Sequence, residues 1–128
     1  MANTIHDIGI ASQIGTYRDA VEVPANARWF CTAGTPGLGP DGSLAPDVTG
    51  QAAAAWGHVI ALLEKADMTI ADVVKVTQYL VRADDIPAYA EVRARFLGAA
   101  RPASTLLVVP ALVRPDLLLE VEVLAAKA

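Results

Sequence analysis

The segment LLLEVEVLA, residues 117–125, constrains the fold more than any other part of the chain. Its apolar and acidic residues alternate with a period of two, which is the side-chain period of a β-strand. One face of this strand carries Leu117, Leu119, Val121 and Val123, and the other carries Leu118, Glu120, Glu122 and Leu124. We expect the first set to face a core covered by helices, which places two carboxylates on the opposite face of the sheet.

Two further patterns predict hairpins. The alternating segment DAVEV (19–23) is followed by the turn PAN and by ARWFCTAG (27–34), which predicts a first β-hairpin. Near the C-terminus, STLLVV (104–109), a turn at RPD (114–116) and the strand at 117–125 predict a second hairpin. Between the hairpins, the β-branched run DVVKVTQYLV (72–81) predicts a buried strand.

Two helices are predicted from apolar residues at helical spacing. Over residues 51–68 the apolar stripe consists of Ala52, Trp56, Val59, Leu63 and Ala66, with Asp47 or Thr49 as the N-cap. A second helix begins near Asp84 or Asp85, carries Pro87 in its first turn and ends at Gly98. The predicted order is β-β-α-β-α-β-β, a single α+β domain over residues 1–128 with a mixed sheet and two helices on one face.

The second face of the predicted sheet has no covering element. Two helices cover only one face, whereas the strands at 73–81 and 104–109 are interpreted as apolar on both faces. Hydrophobic residues also make up 54% of the chain, more than a small monomer hides easily. A second copy of the chain is therefore the expected cover, and we predict an oligomer.

Charge and motif content exclude several functions. The net charge is −4 and no basic run is present, which disfavours nucleic-acid binding. The single cysteine, Cys31, permits no internal disulfide and is expected to be a core residue. No cluster of metal ligands, signal pattern or membrane-spanning run is recognised, so we expect a cytoplasmic protein without a metal. The carboxylate of Glu120 is either a salt-bridge or edge residue or part of a polar site.

Four segments resemble the motifs of a known family. IGTYRDAV (14–21) resembles IGPYSQAV, FCTAGTPGLGPDG (30–42) resembles FxSGQIPxxPxxG, and DVVKVTQYL (72–80) resembles DVVKTTVFL. The C-terminal RPASTLLVV and LLLEVEVLAA resemble RPARSTVxV and VEIEAIA. On these motifs the chain is identified as a member of the RidA (YjgF/YER057c) family of enamine and imine deaminases.

The resemblance implies a fold, an assembly and an activity. Members of this family form homotrimers of a chorismate-mutase-like fold, with the sheets packed inward and the ligand clefts between subunits. Active members hydrolyse enamines and imines such as 2-aminoacrylate to a keto acid and ammonia, without a metal or cofactor. The resemblance therefore implies a small-molecule substrate, a homo-oligomeric partner, and no membrane or nucleic-acid partner.

The family's functional residues carry over unevenly. Tyr17 stands at the tyrosine position and Glu120 at the position of the glutamate that places the attacking water. Ser104 occupies the position of the arginine that binds the substrate carboxylate, and it is retained as a candidate catalytic residue with Tyr17 and Glu120. The predicted substrate-binding residues are Thr32, Ala33, Thr105 and Leu106. Arg18 is expected to point away from Tyr17, because adjacent side chains in an extended segment face opposite sides.

The serine at position 104 leaves three hypotheses open. A charge-assisted hydrogen bond to a carboxylate is worth roughly 1.5–3 kcal/mol, so its loss predicts weak binding of small anions. The first hypothesis is a divergent enzyme acting on an imine or enamine whose carboxylate is absent or held elsewhere. The second is a non-catalytic trimer that binds a small metabolite, and the third is a structural or chaperone-like trimer without a ligand.

Overall fold

The computed structural model describes residues 2–128 and has the predicted α+β class. The strands are β1 (Thr4–His6), β2 (Ala20–Glu22), β3 (Arg28–Cys31), β4 (Val73–Leu80), β5 (Ala103–Val108) and β6 (Leu119–Lys127). The helices are α1 (Val48–Lys65) and α2 (Ile86–Leu97); short 3-10 turns connect β1 to β2, α1 to β4, and β4 to α2. Strand β1 precedes the elements that the sequence pattern predicts.

Strand β4 lies inside a mixed four-stranded sheet. The strand order is β3-β6-β4-β5, in which β4 is parallel to β5 and antiparallel to β6, and β6 is antiparallel to β3. Strands β1 and β2 form a separate antiparallel pair. A parallel bridge between Arg18 and Ala103 places the residues just before β2 along the outer edge of β5. The predicted mixed sheet is thus confirmed.

Both predicted hairpins are wrong in their strand pairing. Strand β2 pairs with β1, and β3 pairs with β6, so residues 19–23 and 27–34 share no ladder. Likewise, β5 and β6 both pair with β4 and not with each other. The connection over residues 109–118 is long enough to carry the chain past β4, whereas a two-residue turn would force neighbouring strands to pair.

The helices bury one face of the sheet, as the alternation in β6 predicts. Leu117, Leu119, Val121 and Val123 are all buried, and the last three pack with residues of the helices in the core. Trp56 of α1 and Tyr89 of α2 are completely buried against this face. Helix α1 begins three residues earlier than its predicted start, because the side chain of Asp47 accepts a hydrogen bond from the Gly50 amide at 2.8 Å.

The opposite face of the sheet, which we call the open face, is more polar than expected. Strand β4 presents Lys75, Thr77 and Tyr79 there, because these residues alternate with the buried Val76 and Gln78. The interpretation of residues 73–81 as apolar on both faces is therefore wrong. Large apolar side chains do remain on the neighbouring strands of this face, where Leu107 and Leu124 are both 41% exposed.

Cys31 and Trp29 also lie on the open side of the sheet. Cys31 is exposed, so its predicted place in the core is wrong. It pairs in register with Leu124, an open-face residue, whereas the adjacent Phe30 packs against the core. Because side chains alternate along β3, the aromatic residue takes the core position and the cysteine faces outward. Trp29 is 61% exposed for the same reason.

Two glycines offer a matched test of this packing. A Cβ atom at Gly37 would overlap the carbonyl oxygen of Gln51, whereas a Cβ atom at Gly57, inside α1, would meet no atom within 4 Å. We expect Gly37→Ala to lower the free energy of unfolding by about 1–3 kcal/mol, since a backbone atom must move. Gly57→Ala is expected to raise it by about 0.5–1 kcal/mol through helix propensity. Urea unfolding measures both, and equal effects of the two substitutions would contradict this packing.

Candidate functional site

The predicted site residues fall into two groups on opposite faces of the sheet. Tyr17 and Ser104 line one small cavity on the helix side, at the edge of β5. Glu120 lies on the open face, directly opposite Tyr79 in the pairing of β6 with β4. Ser104 pairs with the core residue Val76, so its side chain is on the other side of the sheet from Glu120. A single protomer therefore does not bring the three predicted catalytic residues together.

The cavity at Tyr17 and Ser104 is a narrow hollow between β5 and α2. Its volume is about 10 Å³, and Arg93 of α2 also lines it. The ring of Tyr17 packs closely over Gly15, where a Cβ atom would lie 3.3 Å from two ring carbons. Arg18 does not line the hollow and instead lies 3.4 Å from the carboxylate of Asp7, as the alternation of side chains predicts.

The buried amide of Gln78 holds the wall of this hollow. Its Nε2 donates to the Ser104 hydroxyl at 3.0 Å and to the Thr105 carbonyl at 2.8 Å. Its Oε1 accepts from the Tyr89 hydroxyl at 2.8 Å and from Arg93 Nη1 at 2.9 Å. Four hydrogen bonds thus join β4, β5 and α2 around a side chain with no exposed surface.

Tyr89 extends this network to the other helix. Its hydroxyl accepts a hydrogen bond of 3.3 Å from the indole nitrogen of Trp56. Burial raises the pKa of the Tyr89 phenol far above its usual range, so this hydroxyl stays protonated and remains a donor to Gln78. The guanidinium of Arg93 lies 5.5 Å from the centre of the Tyr89 ring, a cation–π distance.

Glu120 is a half-buried carboxylate on the open face, packed closely against Gly34. A Cβ atom at Gly34 would overlap its Oε1 atom, so a residue larger than glycine there would displace the carboxylate. Within residues 2–128, no hydrogen bond or ion pair engages this carboxylate. Burial raises the pKa of Glu120 above its ordinary value of 4.5, and the charge of Glu122 raises it further.

Glu122 and Tyr79 form the polar neighbourhood of Glu120. The Tyr79 hydroxyl donates a short hydrogen bond to Glu122. That bond, followed by burial and by the charges of both glutamates, raises the pKa of the Tyr79 phenol above 10.0. A positive charge approaching this part of the open face therefore meets two carboxylates held side by side along β6.

The four predicted substrate-binding residues are also divided. The hydroxyl of Thr32 accepts from the Val123 amide at 3.1 Å, and the carbonyl of Ala33 accepts from the Thr35 hydroxyl at 3.0 Å. Thr105 lies on the open face, where it accepts from Lys75 Nζ at 2.7 Å. Its neighbour Leu106 packs against the core on the helix side.

A larger cavity of about 280 Å³ lies along the open face. Thr32 is the one predicted binding residue that lines it, together with Cys31, Lys75, Thr77, Glu122, Val123 and Leu124. Polar groups of β4 and β6 meet the apolar side chain of Leu124 in this cavity. The arrangement suits a small polar molecule or the surface of another protein chain.

Sequence reasoning missed Arg93, Gln78 and Gly34. A detectable signal existed for the first two: Gln78 interrupts the apolar side of β4, and Arg93 falls one turn after Tyr89 on the buried stripe of α2. A polar residue on a predicted core face requires buried partners, and that requirement points to a network. Gly34 gave no such signal, because its contact with Glu120 depends on the tertiary fold.

Residues 2–128 contain neither a metal-ligand cluster nor a helix that could span a membrane. No group of three or more His, Cys, Asp or Glu residues in this range is placed to hold a metal ion. Neither α1 nor α2 is long and apolar enough to cross a membrane.

Comparisons with known proteins agree on one family. Residues 10–127 match the family model described as endoribonuclease L-PSP. A RutC family protein of Pyrococcus abyssi is 32% identical over 116 residues, which cover 89% of this chain and 88% of the relative.

Solved structures are similar over nearly the whole chain. The YyfB protein of Yersinia pestis, of the conserved Rid family, is 26% identical with a TM-score of 0.85, covering 99% of this chain and 100% of that one. TdcF of E. coli, solved with bound serine, is 25% identical with a TM-score of 0.74. The similarity to TdcF covers 90% of this chain and 91% of the other.

The network around Gln78 leads to a stability prediction. Gln78→Leu keeps the volume roughly constant but leaves the donors on Tyr89 and Arg93 and the acceptor oxygen of Ser104 without their partner. We expect a loss of about 3 kcal/mol in the free energy of unfolding, because an unsatisfied buried polar group costs about 1–3 kcal/mol. The exposed Gln13→Leu serves as the control, with an expected change below about 0.5 kcal/mol. Urea unfolding compares the two, and similar values would show that the network adds no stability.

Proposed function

This chain belongs to the endoribonuclease L-PSP family, also known as the RidA or YjgF family, and from that membership we propose that it hydrolyses a small imine or enamine. An enamine first tautomerises to the imine. The imine and one water molecule then give a carbonyl compound and ammonia, so the overall reaction needs no oxidant or reductant. The proposed enzyme uses no cofactor, and its own side chains supply the proton transfers.

The observation that carries this proposal is the unpaired carboxylate of Glu120. It is half-buried and lies against Gly34, and within residues 2–128 no donor or cation occupies it. A carboxylate in this state is available to accept a proton from water, and its raised pKa makes it a stronger base than an ordinary glutamate. The bound serine of TdcF supports a small amino-acid-like ligand for the family fold.

The proposed reaction proceeds in two proton-coupled steps. Glu120 accepts a proton from a water molecule as the water oxygen forms a bond to the imine carbon, and the π electrons move to nitrogen. The carbinolamine nitrogen then takes up protons, including the one held by Glu120. The carbon–nitrogen bond then breaks while the carbinolamine hydroxyl gives its proton to the Glu120 carboxylate, so the carbonyl forms, and the departing ammonia removes that proton as ammonium. The carboxylates of Glu120 and Glu122 also favour the protonated iminium, which is the more reactive electrophile.

The proposed cleft requires a second protomer. The sheet separates Ser104 from Glu120 within one chain, whereas the open face exposes Leu107, Leu124 and Trp29. We propose a homotrimer in which open faces pack inward, as the family resemblance implies. In that assembly, Tyr17 and Ser104 of one protomer approach Glu120 of the partner subunit across the interface.

A second candidate function is non-catalytic binding of a small metabolite. It is favoured by Ser104, which stands where the family resemblance implies an arginine and whose hydroxyl oxygen is already hydrogen-bonded to Gln78. The two functions differ in turnover. An enzyme releases many equivalents of ammonia per protomer, whereas a binding protein releases none above the spontaneous rate.

Replacing the proposed base tests the enzymatic function directly. With 2-aminoacrylate generated in situ by a serine dehydratase, we expect the wild-type protein to accelerate pyruvate and ammonia formation above spontaneous hydrolysis. Glu120→Gln is expected to lower kcat by about 100-fold or more, the usual contribution of a general base. The exposed Glu64→Gln provides a matched loss of one carboxylate and should keep the wild-type rate. Full activity in Glu120→Gln excludes this base, and an inactive wild type with this substrate favours the binding function.

The charge of Glu122 gives a prediction for the pH profile. Because Glu120 must be ionised to act as a base, kcat/KM should rise with pH through a pKa that lies above 4.5. Glu122→Gln removes the neighbouring negative charge and should move this acidic limb to lower pH, since ionised Glu120 is then less destabilised. Steady-state rates over the acidic range measure the shift. A limb that stays in place, or moves to higher pH, would contradict the proposed coupling.

A further inference from the structure

Arg93 of helix α2 lines the hollow beside Ser104, the position at which the family resemblance implies a carboxylate-binding arginine. Ser104 lies on β5 and carries no positive charge. Arg93 lines the same cavity from α2. Gln78 connects them, since its amide contacts the Ser104 hydroxyl at 3.0 Å and Arg93 Nη1 at 2.9 Å. The guanidinium and the serine hydroxyl are therefore two walls of one hollow.

The guanidinium of Arg93 is held in place and is only partly used. Gln78 Oε1 takes one of its five N–H donors, and the Tyr89 ring lies 5.5 Å from its central carbon. Within residues 2–128, no carboxylate comes within 4.0 Å of this half-buried side chain. A half-buried arginine that is fixed by neutral groups and lacks a counter-ion is suited to bind an anion.

The remaining lining of the hollow fits a small anion. The Ser104 oxygen accepts a hydrogen bond from Gln78, which leaves the Ser104 hydroxyl hydrogen to donate. No hydrogen bond within residues 2–128 engages the Tyr17 hydroxyl, so it is a second available donor beside the same cavity. A volume of about 10 Å³ corresponds to about one water molecule, so the hollow admits a single carboxylate oxygen and excludes a bulky phosphate ester.

We infer that Arg93 binds the carboxylate of the ligand in this cleft, so that the cation missing from position 104 is supplied by helix α2. This inference rests on the proposed function for the rest of the ligand. Ser104 alone leaves two alternatives, a ligand without a carboxylate or a ligand whose carboxylate is held elsewhere, and this inference selects the second. The substrate class becomes an imine or enamine that carries a carboxylate, and Arg93 is the residue that selects it.

Binding of a carboxylate and of its neutral isostere separates this role from a structural one. The probes are pyruvate and pyruvamide, which differ only in the carboxylate, and NMR titration or calorimetry measures their Kd values. We expect wild type to prefer pyruvate by about 10-fold or more, the effect of one charge-assisted interaction. Arg93→Met should bring the two Kd values to within about 3-fold of each other by weakening pyruvate only.

Three further variants control for misfolding. Arg95→Met removes an exposed arginine from the same helix and should leave the preference for pyruvate unchanged. Arg93→Lys keeps the charge without the planar fork and should retain part of the preference. The double variant Arg93→Met with Ser104→Arg should regain the preference, because it returns the cation to the hollow from β5. Near-UV circular dichroism confirms that each variant keeps its packed core.

The outcomes distinguish this inference from the proposed function. Equal weakening of both probes in Arg93→Met, an unchanged preference in that variant, or no pyruvate binding by wild type would each overturn the role of Arg93. If Arg93 governs pyruvate binding while wild type shows no turnover of 2-aminoacrylate, the inference stands and the enzymatic proposal fails. Turnover without any effect of Arg93 on binding gives the opposite result.

Discussion

The buried amide of Gln78 is the interaction on which both the core and the hollow depend. A side chain without exposed surface is stable there because every lone pair and hydrogen of the amide has a protein partner. Those partners lie on β5 and α2, and Tyr89 extends the chain of bonds to Trp56 on α1. Moving any of these elements would break a bond in a medium where water cannot replace it. The position of Arg93 beside Ser104 thus follows from the packing of the core.

Because side chains alternate along each strand, the two faces of the sheet carry different kinds of polar group. On the helix side, polar groups are few, the amide of Gln78 is fully hydrogen-bonded, and donors of Tyr17, Arg93 and Ser104 remain available at the hollow that these residues line. On the open face, carboxylates, a lysine and threonines lie among exposed leucines. Because adjacent residues on one strand point to opposite faces, Thr105 contacts Lys75 while Ser104 contacts Gln78. Strand β5 therefore contributes Ser104 to the neutral amide network on the helix side and Thr105 to the charged open face.

The sequence predicts elements and faces well and strand partners poorly. The stripe of α1, the start of α2 and the buried face of β6 follow from local periodicity, which the chain carries residue by residue. The pairing of β3 with β6 depends on contacts between segments about a hundred residues apart, and no local pattern encodes it. The outward position of Cys31 has the same origin, since only the pairing shows that Phe30 takes the core side. The family motifs identify Tyr17, Ser104 and Glu120 as candidate site residues. Arg93 is identified only from the structure, because its position depends on the packing of α2 against β5.

The proposed roles of Arg93 and Glu120 constrain how the protomers can assemble. A protonated imine that carries a carboxylate has its positive and negative groups on adjacent carbon atoms. Arg93 attracts the negative group and Glu120 attracts the positive one, so both must lie against the same small molecule. Within one protomer the sheet stands between them, and exchanging their faces would require a one-residue slip that exposes the whole core set of a strand. The proposed chemistry therefore requires the carboxylate of Glu120 to come from a second protomer, and the proposed oligomer would also cover the apolar residues of the open face.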